Sequence, residues 1–237
     1  MVKLKLVSFV APLLLLATAT TAFSQDVVGS WGVGAFVGYN RSMFKLDEWY
    51  QDGKTGVGGV FVYVVNPKTS VEVEYHRSRW SDGELEDLGF TWSVDGKSYK
   101  SPGARSEMRI NSFLVNVLIR RSGIMERQKY SPYVAFGTGF YDYTTDVRGL
   151  IFPGQKTAPL DQSLLLEAFS DTRTALGVNV GAGVEGFIFD NISVDLRGRY
   201  NVLLGELRPM EAWGIEGQTF PMQFWNVRAG MRFYFKG

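Results

Sequence analysis

The sequence predicts an all-β chain: an eight-stranded antiparallel up-and-down β-barrel that crosses a membrane. Three observations carry this. Apolar and polar residues alternate over segment after segment, which is the period of a strand. The segments number eight, and their connections alternate between short and long. The polar faces are rich in glycine, which suits a crowded interior better than a solvated surface.

The start of the chain reads as a leader. MVKLK carries two lysines, VSFVAPLLLLATA is an apolar run too short to span a bilayer, and Ala22-Phe23-Ser24 offers small residues at signal-peptidase spacing. Residues 1–24 are therefore expected to be a removed secretory signal, leaving 25–237 as one barrel domain. Losing Lys3 and Lys5 takes the formal charge from +1 to −1, so nothing favours nucleic acid as a partner. The chain has no cysteine, which excludes disulfides and thiol-ligated metal or redox centres. No later apolar run approaches the roughly 20 residues of a spanning helix, so entry into a membrane requires a closed barrel.

The expected strands are 28–41, 55–66, 69–80, 106–121, 130–146, 171–189, 192–205 and 220–236. In the first, Trp31 and Tyr39 bracket the apolar face. The third sets Val71, Val73 and Tyr75 against Glu72, Glu74 and His76. The fourth sets Phe113, Val115, Val117 and Ile119 against Ser112 and Asn116. The sixth sets Leu176, Val178, Val180, Ala182 and Val184 against Gly177, Asn179, Gly181, Gly183 and Glu185. The seventh sets Val194, Leu196, Gly198, Tyr200 and Val202 against Asp195, Arg197, Arg199 and Asn201. The eighth sets Trp225, Val227, Ala229, Met231, Phe233 and Phe235 against Asn226, Arg228, Gly230 and Arg232.

Glycine settles which face is inside. A narrow eight-stranded lumen needs Gly177, Gly181, Gly183 and Gly230 to make room for large charged neighbours. The polar face then points inward and the apolar face meets lipid. Trp31, Tyr39, Trp225, Phe233 and Phe235 fall near the ends of outward faces, where interfacial aromatic girdles are expected.

Connections after the second and sixth strands turn on Asn66-Pro67-Lys68 and Asp190-Asn191, and a charged turn of moderate length, 122–129, follows the fourth. The other connections, 42–54, 81–105, 147–170 and 206–219, are longer. Residues 81–105 combine Asp82, Glu84, Glu86 and Asp87 with Phe90, Trp92 and Tyr99, aromatics expected to be exposed as a recognition surface or at headgroup level. In 147–170, Leu164-Leu165-Leu166 suggests a short helical turn.

PYVAFGTGF (132–140), GVNVGAGVEGFIFDNISVDLRGRY (177–200) and NVRAGMRFYF (226–235) together resemble the small outer-membrane β-barrel family that includes the membrane domain of OmpA and the OmpX-type proteins. The resemblance implies a Gram-negative outer-membrane location, periplasmic termini, and surface loops that could meet an extracellular ligand through 81–105 and 147–170. It further implies insertion by the barrel-assembly machinery, which in that family reads a final aromatic residue. Lys236 and Gly237 follow Phe235 here, a slight departure. A monomer in outer-membrane lipid is expected, and no cofactor.

Three constellations could carry chemistry. GAGVEG (181–186) matches the dinucleotide G-x-G-x-x-G, but another strand follows it instead of the helix whose N-terminus holds pyrophosphate. Glu72, Glu74 and His76 share one strand face and are suitable metal ligands. Four inward guanidinium groups need anionic partners, however, because a buried unpaired charge is costly. A lumen ion network of Glu72, Glu74, His76, Glu185, Asp195, Arg197, Arg199, Arg228 and Arg232 is the stronger expectation, with no metal site. His76-Arg77-Ser78 holds a base and a nucleophile two apart, but the register turns His76 away from lipid. The expected function is therefore a non-enzymatic, loop-displaying barrel serving envelope integrity or surface interaction, with no catalytic residues. A narrow pore gated by lumen ion pairs and a lipid-modifying enzyme are the alternatives.

Overall fold

A computed structural model describes residues 28–44, 46–47, 50, 52–81, 89–121, 130–207 and 218–235. Eight long strands form one closed ring: β1 (Trp31–Met43), β2 (Thr55–Asn66), β3 (Thr69–Ser81), β4 (Arg105–Arg120), β5 (Tyr130–Arg148), β6 (Phe169–Phe189), β7 (Ile192–Leu207) and β8 (Gln218–Phe235). Each pairs antiparallel with its sequence neighbours, and β1 closes on β8 with Trp31 opposite Phe235 and Met43 opposite Gln223. All eight expected strands are present. The leader expected at 1–24 and the acidic residues Asp82, Glu84, Glu86 and Asp87 lie outside the described residues, as do Lys236 and Gly237.

Pairing fixes the tilt. Partners followed once round the ring run from Arg120 through Tyr133, Gly183, Arg197, Arg228 and Gly38 to Gly56, which stands one position beyond the Val57–Arg77 pair and so level with Ser78 on β3. Arg120 began that circuit by donating its amide to the carbonyl of Lys68, at the other end of β3. The circuit has therefore climbed ten residues of β3, from 68 to 78. A shear of ten over eight strands, at about 3.3 Å per residue and about 4.8 Å between strands, gives a tilt of about 40°.

The alternation of burial is inside-out. Val37, Val57, Val178, Leu196 and Val227 are 57–60% exposed on the outer wall, while Arg197, Arg199, Arg228 and Arg232 are at most 2% exposed inside. Only a surrounding hydrocarbon phase makes such a surface stable, since it removes the penalty of exposed apolar area and closure leaves no unpaired edge. Trp31 stacks on Phe235 at 4.2 Å and Phe233 packs edge-on to Phe235 at 4.6 Å, forming an aromatic cluster where the ring closes.

The two ends differ as the connection lengths require. At the turn end, Asn66 Oδ1 accepts the Lys68 amide at 2.9 Å, fixing a tight turn. Both tight turns are accompanied by a register shift, at Val64/Asn66 and at Ile192/Ser193. At the loop end, Gly89–Thr91 pairs with Ser98–Lys100 as a separate hairpin. The 147–170 connection contains no helix. Leu165 instead makes an isolated antiparallel bridge with Ile151, and Leu166 donates its amide to the Leu150 carbonyl at 2.7 Å, so the leucine run is extended. Of that extended run only Leu166 packs against an apolar cluster, while Leu164 and Leu165 stay about half exposed.

Candidate functional site

Three strata fill the lumen. Toward the turn end, Val62, Val64 and Tyr234 form an apolar layer with Phe187 packed against it, and Leu118, Tyr133 and Ala135 form a second patch. The middle is charged. Above it, Trp80, Met108, Ile110, Leu114, Tyr141, Leu203, Met222 and Phe224 make an apolar layer, into which Leu46 and Tyr50 descend from the β1–β2 connection. Burial pushes the Tyr50 phenol up to about 12. Trp80 meets Phe224 edge-on at 5.1 Å in this upper layer.

The charged stratum is organised by two carboxylates on β3. β3 faces β7 across the full ring, four strands away in either direction. Arg197 Nη1 and Nη2 donate to Glu72 Oε1 and Oε2 at 2.6 and 3.0 Å, and Arg199 Nη1 donates to Glu74 Oε2 at 2.8 Å. From β8, Arg228 bridges the pair, with Nη2 3.1 Å from Glu72 Oε1 and Nη1 2.7 Å from Glu74 Oε2. Arg232 Nη2 reaches Glu72 Oε2 at 2.7 Å and Asp195 Oδ1 at 3.2 Å, and its Nη1 lies 3.1 Å from Glu185 Oε2. Such shared, two-pronged contacts are the arrangement in which buried guanidinium groups recover most of their desolvation cost.

All nine residues named for the lumen network thus lie in one cluster. His76 stands at its loop-side edge, Nδ1 3.2 Å from Glu74 Oε1 and 3.5 Å from Arg199 Nη2. The structure adds members that charge counting omitted. Arg120 Nη2 donates to Glu185 Oε2 at 2.8 Å and its Nη1 to Ser70 Oγ at 2.7 Å. Tyr234 and Ser193 donate to Glu185 Oε1 at 2.6 and 2.7 Å, and Tyr133 bridges Arg197 to Asp195. Arg120 shares the parity of Ser112 and Asn116 on β4, a signal present in the sequence. The phenols carried none, because Tyr reads as apolar in a periodic pattern.

Small residues make this filling geometrically possible. A Cβ on Gly183 would meet the Leu196 carbonyl oxygen and the Tyr133 ring carbon Cζ, each at 2.6 Å. One on Gly230 would meet Phe36 Cβ at 2.7 Å, and the Phe36 ring carries the Arg228 guanidinium 4.3 Å above it.

The other constellations end differently. GAGVEG lies within β6 and continues into β7 by a two-residue turn, so no helix N-terminus is offered to a phosphate. Among the described residues no group of three or more metal-ligating side chains converges on a metal position. His76 and Ser78 are both fully buried in the lumen.

The loops supply a correction. Phe90 and Trp92, expected to be exposed, are 5% and 2% accessible. With Ala104, Val147, Leu150, Ile151 and Leu160 they form a small core of their own, against which Tyr99, Leu166 and Phe169 pack. Trp92 meets Tyr99 edge-on at 6.1 Å. Two surface loops therefore share one apolar centre, sealed by the Ile151 amide donating to Ser101 Oγ at 3.0 Å. Gln155 ties the outer part of the second loop, donating to the Phe152 and Asp161 carbonyls at 3.1 and 2.8 Å.

Comparison with known proteins places the fold. The family model described as outer membrane protein beta-barrel domain matches residues 9–233. Among solved structures, Neisserial surface protein A (NspA) is 15% identical with a TM-score of 0.53, over 86% of this chain and 98% of that one. Ail, the attachment invasion locus protein of Yersinia pestis, is 14% identical with a TM-score of 0.49, over 88% and 99%. OprG of Pseudomonas aeruginosa is 14% identical with a TM-score of 0.47, over 89% and 97%. A search of curated proteins finds no match.

Proposed function

The chain belongs to the outer membrane protein beta-barrel domain family, and from that premise we propose that it is a non-enzymatic, sealed scaffold that holds two interlocked surface loops rigidly above the outer membrane. One observation carries the reading. The lumen is filled across its whole section by the Glu72–Glu74 network and again by the apolar layer from Trp80 to Phe224. A plugged lumen leaves the outside of the molecule, and chiefly its loops, as the working surface. Trp31, Tyr39, Trp225, Phe233 and Phe235 would anchor the wall at the two interfaces, with both termini in the periplasm.

In this reading residues 1–24 are the leader that routes the chain out of the cytoplasm, and the barrel-assembly machinery inserts it as a monomer. The shared core of Phe90, Trp92 and Leu160 fixes the shape of the surface presented to an extracellular partner. Envelope integrity or surface interaction is the resulting role.

Planar-bilayer conductance tests the proposal. The wild-type barrel should stay silent, and openings that respond to Arg228→Ala or Glu185→Gln would replace this reading with the pore. The lipid-modifying alternative predicts a change in lipid A mass on expression that His76→Ala abolishes. The burial of both His76 and Ser78 argues for no change.

A further inference from the structure

We infer that the outer wall of β3 and β4, at the loop end, binds the phosphorylated headgroup of an outer-leaflet lipid through Arg77 and Arg79. The inference rests on the orientation proposed above, with loops outward.

The outward face of β3 runs Val71, Val73, Tyr75, Arg77, Arg79, and that of β4 runs in register beside it as Val117, Val115, Phe113, Asn111, Arg109. The apolar wall ends on both strands at the same level, Tyr75 opposite Phe113, each about half exposed. Cations begin at the next outward position. Two residues along a strand tilted near 40° climb about 5 Å, which moves from the edge of hydrocarbon to the depth of lipid phosphates.

Among the described residues, the positive charge on β3 at this level has no carboxylate to balance it. Arg79 stands directly opposite Arg109, and like charges so placed destabilise a strand pair. Arg109 is relieved by Asp146 of β5, Nη2 to Oδ2 at 2.7 Å. Arg77 and Arg79 have no carboxylate partner among the described residues, whereas the lumen arginines Arg120, Arg197, Arg199, Arg228 and Arg232 are all paired. The Tyr75 hydroxyl lies 3.5 Å from Asn111 Oδ1, which leaves the Asn111 amide nitrogen beside the two cations as a further donor.

Forked guanidinium groups match phosphate oxygens, and the boundary of the bilayer strengthens the attraction relative to water. The acyl chains of the same lipid would lie along Val71, Val73 and Val115, so the site recognises both parts of the molecule. The β5–β6 wall at the same level carries Asp142, Thr144, Thr172 and Thr174 instead, and offers nothing equivalent to an anion.

The test uses the full-length protein in phosphatidylcholine vesicles carrying bisphosphorylated lipid A on both faces, so binding is read whichever way the barrel inserts. After detergent extraction, native mass spectrometry counts retained lipid. Wild type should retain the bisphosphorylated lipid about tenfold more than its dephosphorylated form. Arg77→Gln with Arg79→Gln should erase that preference, while the charge-matched Arg148→Gln with Lys156→Gln keeps it. Equal retention by wild type and the Arg77/Arg79 variant overturns the inference. So does full displacement by millimolar inorganic phosphate, which would make free anion the ligand. A dimer lost in the Arg77/Arg79 variant, with no lipid preference, would assign the surface to a second copy. Failure of the wild type to insert, read as no heat-dependent shift on a denaturing gel, would instead remove the outer-membrane reading beneath it.

Discussion

Glu72 and Arg197 face each other across the full diameter of the barrel, joined by two hydrogen bonds of 2.6 and 3.0 Å, although 125 residues separate them in sequence. Their surroundings are unequal. Glu72 also accepts from Arg228 and Arg232, whereas Arg197 has Glu72 as its one close carboxylate, with Glu74 at 4.0 Å. Removing the carboxylate therefore orphans more charge than removing the guanidinium.

Glu72→Gln should cost about 3–5 kcal/mol, the range for leaving buried charge without its partner. Arg197→Met should cost roughly 1–2 kcal/mol, because Arg228 and Arg232 continue to neutralise Glu72. Urea midpoints of the vesicle-inserted barrel measure both. Equal losses would mean that the network does not share its anion as the distances imply.

Two glycines one register step apart across the β6–β7 ladder, Gly183 opposite Arg197 and Gly198 opposite Ala182, should behave oppositely. Gly183→Ala forces a methyl group against the Leu196 carbonyl and the Tyr133 ring and should destabilise by about 1–3 kcal/mol. Gly198 points outward with nothing within 4 Å of an added Cβ, so Gly198→Ala should be neutral or stabilise by about 0.5 kcal/mol. The same urea series reads both, and a loss at Gly198 as large as at Gly183 would defeat the lumen-packing account of the glycines.

What the sequence disclosed follows the range of the physics involved. Alternation is local, so strands such as 55–66 could be bounded to the residue, and the parity of Gly177, Gly181 and Gly183 gave the inward face. Which inward residues meet depends on the shear, a sum of registers round the whole ring. The candidates for Arg228 and Arg232 could therefore be named only as a set of four carboxylates. Arg120 was legible by parity but stood at a strand end. The loop core was not legible at all, since Phe90, Trp92 and Leu160 lie in segments without periodicity and meet only because β4 and β5 bring their loops together.

That loop core should open independently of the barrel. Trp92→Ala removes the largest side chain at its centre, a change that costs about 3–5 kcal/mol in a packed interior. Because the cost falls on a unit outside the ring, it should appear as local opening. Protease added to intact vesicles should cut the 149–168 connection faster in the variant, while the heat-dependent gel shift of the barrel stays at its wild-type temperature. A fall in that temperature would show the loops and the ring to be one cooperative unit.

The hairpin carries its own pH dependence. Tyr99 Oη donates to Asp95 Oδ2 at 2.5 Å, and the Lys97 amide donates to Asp95 Oδ1 at 2.9 Å. The phenol bond above all, with the amide bond, holds the Asp95 carboxyl below its usual range, and the same phenol bond raises Tyr99. For Asp95 the stabilisation is present above the ordinary carboxylate value, about 3.9, and is lost as pH falls through the lower folded value. For Tyr99 it is present below the ordinary phenol value, about 10, and is lost as pH rises through the raised one. The Gly89–Lys100 hairpin should thus be most firmly closed between those limits and loosen beyond each. Amide exchange over this segment, corrected for the intrinsic chemical rate, should rise toward both extremes in wild type. In Tyr99→Phe, which deletes the shared hydrogen bond, the alkaline rise should vanish and the acid rise shrink to what the Lys97 amide sustains. Identical profiles in the two proteins would rule the bond out as the source of the dependence.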